Sequence, residues 1–306
     1  MLKLNEKMIR KGSALGLPYQ GSKKKISKKI VEIIKQNFGT DKPIYDIFGG
    51  GGAVAAECLI NGIEVHYNDL DPKITSMFQK IVSENRDYLK TLIISRDEFF
   101  KIRDKKDKTV DDELKLLVNS FGNNRKSYLY SEENSDLKYE LAVEIIKNHD
   151  TFSGYRKTET YLKAKKDLKA KKAYQKTRLQ QLERLKKLKY FEQLQHLQQL
   201  ERLQLLKPFE VTNLDYKEFS DLKNVIIYLD PPYENTMLKG YSINEFNSQS
   251  FYDWAYEMSK KNIVLISSYE ISDSRFKCVY EFKTARSTFA SGSYYGKQTE
   301  KLFMVK

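Results

Sequence analysis

Histidine, cysteine and tryptophan are scarce in this chain of 306 residues: three, two and one respectively. None of the histidines stands within the motifs described below, so a His-centred general base is not part of the reading. Cys58 and Cys278 lie far apart in sequence. That excludes a disulfide framework and a CxxC zinc site, and suggests reduced core thiols in a cytosolic protein. No apolar run approaches the ~18 residues needed to cross a bilayer, so no membrane partner is expected. Met1 to Gly12 is short and basic and lacks the apolar stretch of a signal peptide. What is abundant is positive charge: 54 Lys and Arg against 41 Asp and Glu, a net charge of +13. A hydrophobic fraction of 40% supports a real core, while a mean hydropathy of −0.62 leaves much of the chain solvated. Such a balance favours a polyanionic partner, nucleic acid first.

The chain is organised around residues 225–233, Val-Ile-Ile-Tyr-Leu-Asp-Pro-Pro-Tyr. Val225 to Leu229 reads as a buried strand that stops at Asp230, because Pro231 and Pro232 cannot donate to a ladder. Asp230 offers a hydrogen-bond acceptor, Pro231 a backbone carbonyl, and Tyr233 a flat face. A planar base with an exocyclic amino group fits that combination.

Upstream, Leu17-Pro18-Tyr19-Gln20-Gly21-Ser22-Lys23 precedes a helical pattern from Lys24 to Phe38, with Ile26, Ile30, Ile33 and Ile34 at helical spacing. Pro43 to Phe48 reads as a strand running into Gly49-Gly50-Gly51-Gly52, and 53–61 as a small-residue helix stopped by Gly62. A strand, a glycine loop and a helix let backbone approach a nucleotide-like ligand closely. A second strand, 63–67, ends at Asn68-Asp69, where an acid about twenty residues beyond a glycine loop can grip ribose hydroxyls. The loop is not GxGxxG, since Ala53 and Val54 follow the fourth glycine.

Residues 72–118 read as helical. Asn119 to Tyr128 forms a polar, aromatic-edged stretch whose Asn123, Asn124, Arg125 and Lys126 are of the types that read base edges and phosphates. From Thr151 to Leu206 there are 15 Lys and Arg against 5 Asp and Glu. Within it leucines recur every third residue, at 179, 182, 185 and 188 and again from 194 to 206, with Phe191 between. Each step of three falls about 60° short of a full helical turn, so no heptad seam forms and a self-packing helical insertion is expected. After Pro208 the strand patterns return, at 209–213, 225–229, 263–267, 276–284 and 301–305. A helix is expected near 248–260, and a hydroxyl- and tyrosine-rich loop from Arg286 to Lys297. The alternation indicates an α/β domain with a mainly parallel sheet.

Together these stretches resemble the Dam-like DNA adenine methyltransferases, over about 15–102 and 208–306. Leu17 to Lys23 is similar to that family's N-terminal cofactor motif, Asp46 to Gly52 to its glycine loop, and Asp230-Pro231-Pro232-Tyr233 to its catalytic motif. Asp69 and Asp215 stand where the family places a ribose-binding acid and the acid before the catalytic strand. The resemblance implies a Rossmann-like fold with a mostly helical target-recognition insertion: catalytic domain 13–102 and 208–306, recognition region 103–178, leucine-triplet insertion 179–207. It implies S-adenosylmethionine as methyl donor and the amino group of an adenine flipped out of double-stranded DNA as acceptor. The implied cofactor-binding residues are Tyr19, Gly21, Lys23, Asp46, Phe48, Gly50, Gly52, Asp69, Asp215 and Asp230. Asp230, Pro231 and Tyr233 are the implied catalytic residues, and Asn123, Asn124, Arg125, Lys126, Arg286 and Ser287 the DNA contacts; no metal is implied. A bacterial or phage-encoded cytoplasmic protein is expected, with or without a restriction endonuclease partner. Methylation of RNA adenine, or DNA binding without catalysis on the same fold, are the alternatives.

Overall fold

Five short runs of β-branched and aromatic residues line up in parallel. In the computed structural model they are β1 (Ile44–Asp46), β2 (Val65–Asn68), β3 (Glu210–Thr212), β4 (Ile226–Leu229) and β5 (Ile263–Ser268). Two longer strands, β6 (Phe276–Arg286) and β7 (Thr299–Val305), complete a seven-stranded sheet of order β3-β2-β1-β4-β5-β7-β6. Only β7 runs against its neighbours. The structure describes residues 1–18, 22–170, 188–201, 203, 209–234, 246–286 and 299–306. All seven strands fall where the sequence patterns place them, and the sheet is mostly parallel, as expected of a Rossmann-like α/β fold.

Burial on both faces explains why β4 and β5 read as continuous apolar runs rather than alternating ones. On one face Ile227, Leu229, Val264, Ile266 and Phe303 pack with Phe251, Tyr252, Ala255 and Met258. Those four lie on a helix, Ser248–Ser259, numbered α10 in chain order. Elsewhere α2 (Ala53–Ile60) touches β1, β2 and α1 (Ser27–Phe38). Its alanines and Cys58 are small enough for close approach, and every side chain from Ala53 to Leu59 is buried.

The chain divides into two compact units, 1–78 with 203–306, and 79–202, with the boundary inside α3 (Pro72–Ser83). The second unit is helical: α4 (Arg86–Lys90), α5 (Arg96–Arg103), α6 (Val110–Val118), α7 (Glu132–His149), α8 (Glu159–Ala170) and α9 (Lys189–Glu201). Its start at Gln79 precedes the expected 103, because α5 packs on α6 and α7, and α4 on α9. Nor does 189–201 stand apart from it. Leu188, Tyr190, Phe191, Leu194, Leu197 and Leu200 are all fully buried, and α9 packs on α4 and α6. Its first turn is held by tyrosine hydroxyls: the Leu188 N–H donates to Tyr155 Oη at 3.0 Å and the Lys189 N–H to Tyr130 Oη at 2.6 Å. A period of three makes no stripe, yet over thirteen residues the rotating leucines suit a helix covered from several sides. The rest of the tract, 171–187, lies outside the described residues.

Truncating a fully enclosed leucine leaves a cavity, so Leu197→Ala should destabilise the second unit by roughly 2–5 kcal/mol in denaturant unfolding. A change under about 1 kcal/mol would show that α9 lies on a surface.

Candidate active site

Parallel register brings the site together. Asp46 at the end of β1 pairs with Tyr67 of β2 and with Tyr228 of β4, so the residues that follow each strand emerge at one edge. The chain winds from β1 out to β2 and β3 on one side and resumes at β4 on the other, making this the topological switch point, where open α/β sheets bind ligands. A cavity of about 270 Å³ opens there. Ser22, Lys23, Asp46, Phe48, Gly49 to Gly51, Asp69, Asp215, Tyr228, Asp230 and Phe246 are among its walls.

The glycine loop is tied on three sides. Gly49 N–H donates to Asn68 O at 2.9 Å, and Gly50 N–H to Asp69 Oδ2 at 2.8 Å. The Tyr67 hydroxyl donates to Gly50 O at 2.6 Å. A Cβ at Gly49 would stand 2.3 Å from the Tyr67 ring. Gly52, expected to touch a ligand, is instead the left-handed N-cap of α2 at φ +67°, and a Cβ there would strike the Phe78 ring at 2.5 Å. Gly49 and Gly51 take its place on the wall.

Asp69 lines the cavity while both its oxygens serve the backbone, Oδ1 accepting from Asp71 N–H at 2.9 Å. Burial pushes its carboxyl up, against the pull of those two hydrogen bonds. Asp215 caps the short helix Tyr216–Phe219 by accepting from Lys217 N–H at 3.0 Å. Phe48 stacks on Tyr216, centroids 6.0 Å apart at 30°, and meets Phe246 edge-on at 6.2 Å, giving the cavity an aromatic side.

Three carboxylates, Asp46, Asp230 and Glu300, and the Lys23 ammonium dominate the electrostatics. Asp46 is 1% exposed. Its Oδ2 accepts from Ala55 N–H at 3.1 Å, and its Oδ1 has no partner among the described residues. Burial, and then the charge of Asp230, push its carboxyl up to about 8. Lys23 Nζ lies 2.8 Å from Asp230 Oδ1 and 3.5 Å from Glu300 Oε1. The Tyr233 hydroxyl lies 3.0 Å from Asp230 Oδ1 and 2.8 Å from Glu300 Oε2. Burial raises both carboxyls, and Lys23 opposes the rise at each. Tyr233, expected as a bare stacking face, carries the Lys23 ammonium 5.0 Å from its ring centroid and the Tyr269 ring at 4.7 Å.

Sequence reasoning missed Glu300, Tyr228 and Asn68. Glu300 leaves one trace, a buried acid two residues before Leu302 on the same face of β7. Of the other residues singled out, Tyr19, Gly21 and Ser287 lie outside the described residues. Arg286 ends β6 opposite Thr299, and Pro231, next to Asp230 in the chain, is buried.

In the second unit the Asn123–Lys126 loop is largely self-supporting. Asn123 and Arg125 are left-handed, at φ 58° and 57°. Arg125 pairs with Glu113 at 3.1 Å, and Asn124 Oδ1 accepts from the Lys126 and Ser127 N–H groups at 2.8 and 2.9 Å. Lys126 is exposed, and so is Phe121, at 58%.

A carboxylate-rich cavity with an aromatic side suits a ligand that carries positive charge and a flat ring. The family model of the D12 class N6 adenine-specific DNA methyltransferases matches residues 19–291 of the chain. No curated protein matches it. Among solved structures, the rRNA methyltransferase aviRa from Streptomyces viridochromogenes is similar at a TM-score of 0.35 and 12% identity, covering 90% of this chain and 83% of that one. That likeness is too low to bear on function.

The raised Asp46 carboxyl has a sign that can be measured. Folded, it holds its proton up to about 8, while the unfolded chain releases it near the ordinary value, about 3.9. Between those values the folded state binds more protons. The contribution is therefore most favourable at low pH and declines as pH rises through about 8, by roughly 6 kcal/mol in the limit. Denaturant unfolding of the ligand-free protein and of Asp46→Asn, from about pH 5 to pH 9, should show the variant gaining on the wild type as pH rises. Parallel curves would mean Asp46 is ionised throughout.

Proposed function

The chain belongs to the D12 class N6 adenine-specific DNA methyltransferases, and we propose that it takes its methyl group from S-adenosylmethionine and acts on an adenine flipped out of double-stranded DNA. The observation that carries the reading is Asp230: a carboxylate at the carboxyl end of β4, in the switch-point cavity, held on Oδ1 by Lys23 and Tyr233.

The residues fit such a donor. Asp46 Oδ1, which has no partner among the described residues, is a buried acceptor suited to a cationic group. Asp69 and Asp215 supply further acceptors at the wall, and Phe48 an apolar ring face. Tyr19, Gly21, Lys23, Gly50 and Gly52 complete the proposed cofactor set, Gly52 through the turn it makes. When bound, S-adenosylmethionine supplies an electrophilic methyl whose leaving group is a neutral thioether.

The protein then has to deal with a poor nucleophile. An adenine amino nitrogen shares its lone pair with the ring. Asp230, accepting an N–H from that group with the Pro231 carbonyl, favours the tetrahedral nitrogen, most strongly in the transition state. The amino nitrogen forms the new N–C bond and gives up one proton to solvent. Alignment along the cavity supplies most of the rate. Tyr233 stacks on the base once Lys23 yields its place over the ring.

In this reading the first unit is the catalytic domain and the second contributes target recognition. Asn123, Asn124, Arg125, Lys126, Arg286 and Ser287 are the proposed DNA contacts. The exposed Lys126 meets phosphate, which adds to affinity in a salt-dependent way.

Transfer of labelled methyl from S-adenosylmethionine to unmethylated duplex DNA, digested to nucleosides, tests the reading. Label is expected in N6-methyladenine. Asp230→Ala should lose at least about 100-fold in kcat, on the scale of removing one transition-state hydrogen bond, while DNA binding persists. Label in RNA alone, or an unimpaired Asp230→Ala, would overturn it.

A further inference from the structure

Hydrogen counting around Tyr233 leads beyond the transfer site described so far. The phenol has one hydrogen. Its oxygen lies within hydrogen-bond distance of two carboxylate oxygens, Asp230 Oδ1 at 3.0 Å and Glu300 Oε2 at 2.8 Å. With both acids ionised, one of those oxygens would face a phenol lone pair in a buried site. A proton on either acid closes the chain. The nearer ammonium decides which: Lys23 Nζ is 2.8 Å from Asp230 but 3.5 Å from Glu300. It favours the ionised form of Asp230 and leaves the proton to Glu300.

We infer that Glu300 is a positioning residue of the transfer site, protonated in the resting protein. Its O–H donates to Tyr233 Oη, which donates in turn to Asp230 and keeps that carboxylate the acceptor for the incoming amino group. The inference rests on the reading of Asp230 proposed above. Among the described residues, the titratable and charged groups facing Glu300 are few. Lys23 comes from the N-terminal segment, Tyr228 from β4, and Asp230 and Tyr233 from the turn that follows it. Burial first, and then the charge of Asp230, raise the Glu300 carboxyl above its ordinary range, with Lys23 and the Tyr233 hydrogen bond opposing. Tyr233 is pushed well above an ordinary phenol by its own burial and then by the charge of Asp230, so it remains a donor. If Glu300 ionised, the single phenol hydrogen would turn toward the new charge and Asp230 would lose one of its two supports on Oδ1.

Glutamine is the discriminating replacement, because its amide N–H can donate to Tyr233 Oη and cannot ionise. Glu300→Gln should keep kcat within about threefold of wild type near neutral pH, and should lose the high-pH decline in kcat that Glu300 ionisation imposes on the wild type. Glu300→Ala should drop kcat about tenfold or more, with the KM for the methyl donor within about threefold. Thermal melts confirm that both variants are folded. A Glu300→Gln as impaired as Glu300→Ala, or one that keeps the high-pH decline, overturns the inference. Independently of activity, the wild-type minus Glu300→Gln infrared difference spectrum of the ligand-free protein should contain a protonated-carboxyl band near neutral pH, and Asp46 cancels from that difference. Absence of that band overturns the protonated Glu300. A band present in a protein that transfers no methyl group would overturn the proposed function and leave the protonation standing.

Discussion

One ammonium shared among buried carboxylates is the interaction on which the site depends. Lys23 reaches Asp230 and Glu300 directly, while Asp46, on the same cavity wall, feels the charge of Asp230. The register that builds the sheet also creates the repulsion. Once β1 and β4 pair with Asp46 beside Tyr228, an acid at the end of one strand and an acid just past the end of the other share an enclosure. A chain selected for stability alone would replace one of them. Keeping a buried oxygen without a partner among the described residues, on a carboxyl raised to about 8, is the local conflict that marks a binding site rather than a core. Burial, and at Asp46 and Glu300 the charge of Asp230, push these carboxyls up, which favours their protonated forms. In the proposed complex the conflict is met by positive charge on the ligand.

That arrangement works only if the acids are held still, and the uncharged neighbours do the holding. Asn68 is buried with its amide fully used. Nδ2 donates to Ile47 O at 2.9 Å and Leu214 O at 3.0 Å, while Oδ1 accepts from Thr212 Oγ1 and Leu214 N–H at 2.8 Å each. One side chain thus joins the residue before Phe48 to the residue before Asp215. Asp69 does the same for the glycine loop through Gly50 and Asp71. Removing either would leave buried backbone groups unpaired, at about 1–3 kcal/mol each. The cavity is organised in advance by hydrogen bonds that no ligand has to make.

Much of this was legible before any coordinates. The positions of β1, β2, β4 and β5 follow from short apolar runs bounded by Gly, Asp and Pro, and the acids follow from lying just past those runs. What could not be read came from contacts distant in sequence. Glu300 is an ordinary acid on a late strand until the β5–β7 pairing carries it to a tyrosine 67 positions away. Gly52 sits within the expected motif, yet its role is set by the Phe78 ring, which no local pattern announces. The leucine triplets announced a packed helix but not its partners, for a different reason. Periodicity reports the width of a buried face only when a helix has a solvent side, and α9 buries Tyr190, Leu194, Leu197 and Leu200 together. The unit boundary at 79 was equally hidden, because α4 and α5 carry ordinary amphipathic patterns that do not say which core they join.

Asp230 and the Tyr233 ring already share a partner in Lys23, and that shapes how the proposed reaction begins. Lys23 places a hydrogen-bond donor on Asp230 Oδ1 and a cation over the Tyr233 ring. A flipped adenine would bring the same two things, an N–H for the carboxylate and a face for the phenol. The ammonium is therefore a chemical stand-in for the base, and its displacement exchanges like interactions rather than breaking them outright. Lysine suits the position better than arginine would. A compact charge on a flexible stem can withdraw toward water or toward Glu300, whereas a planar guanidinium paired bidentately with Asp230 would hold both oxygens and leave none for substrate. The charge that stabilises the resting acids is thus also the one that can leave most readily.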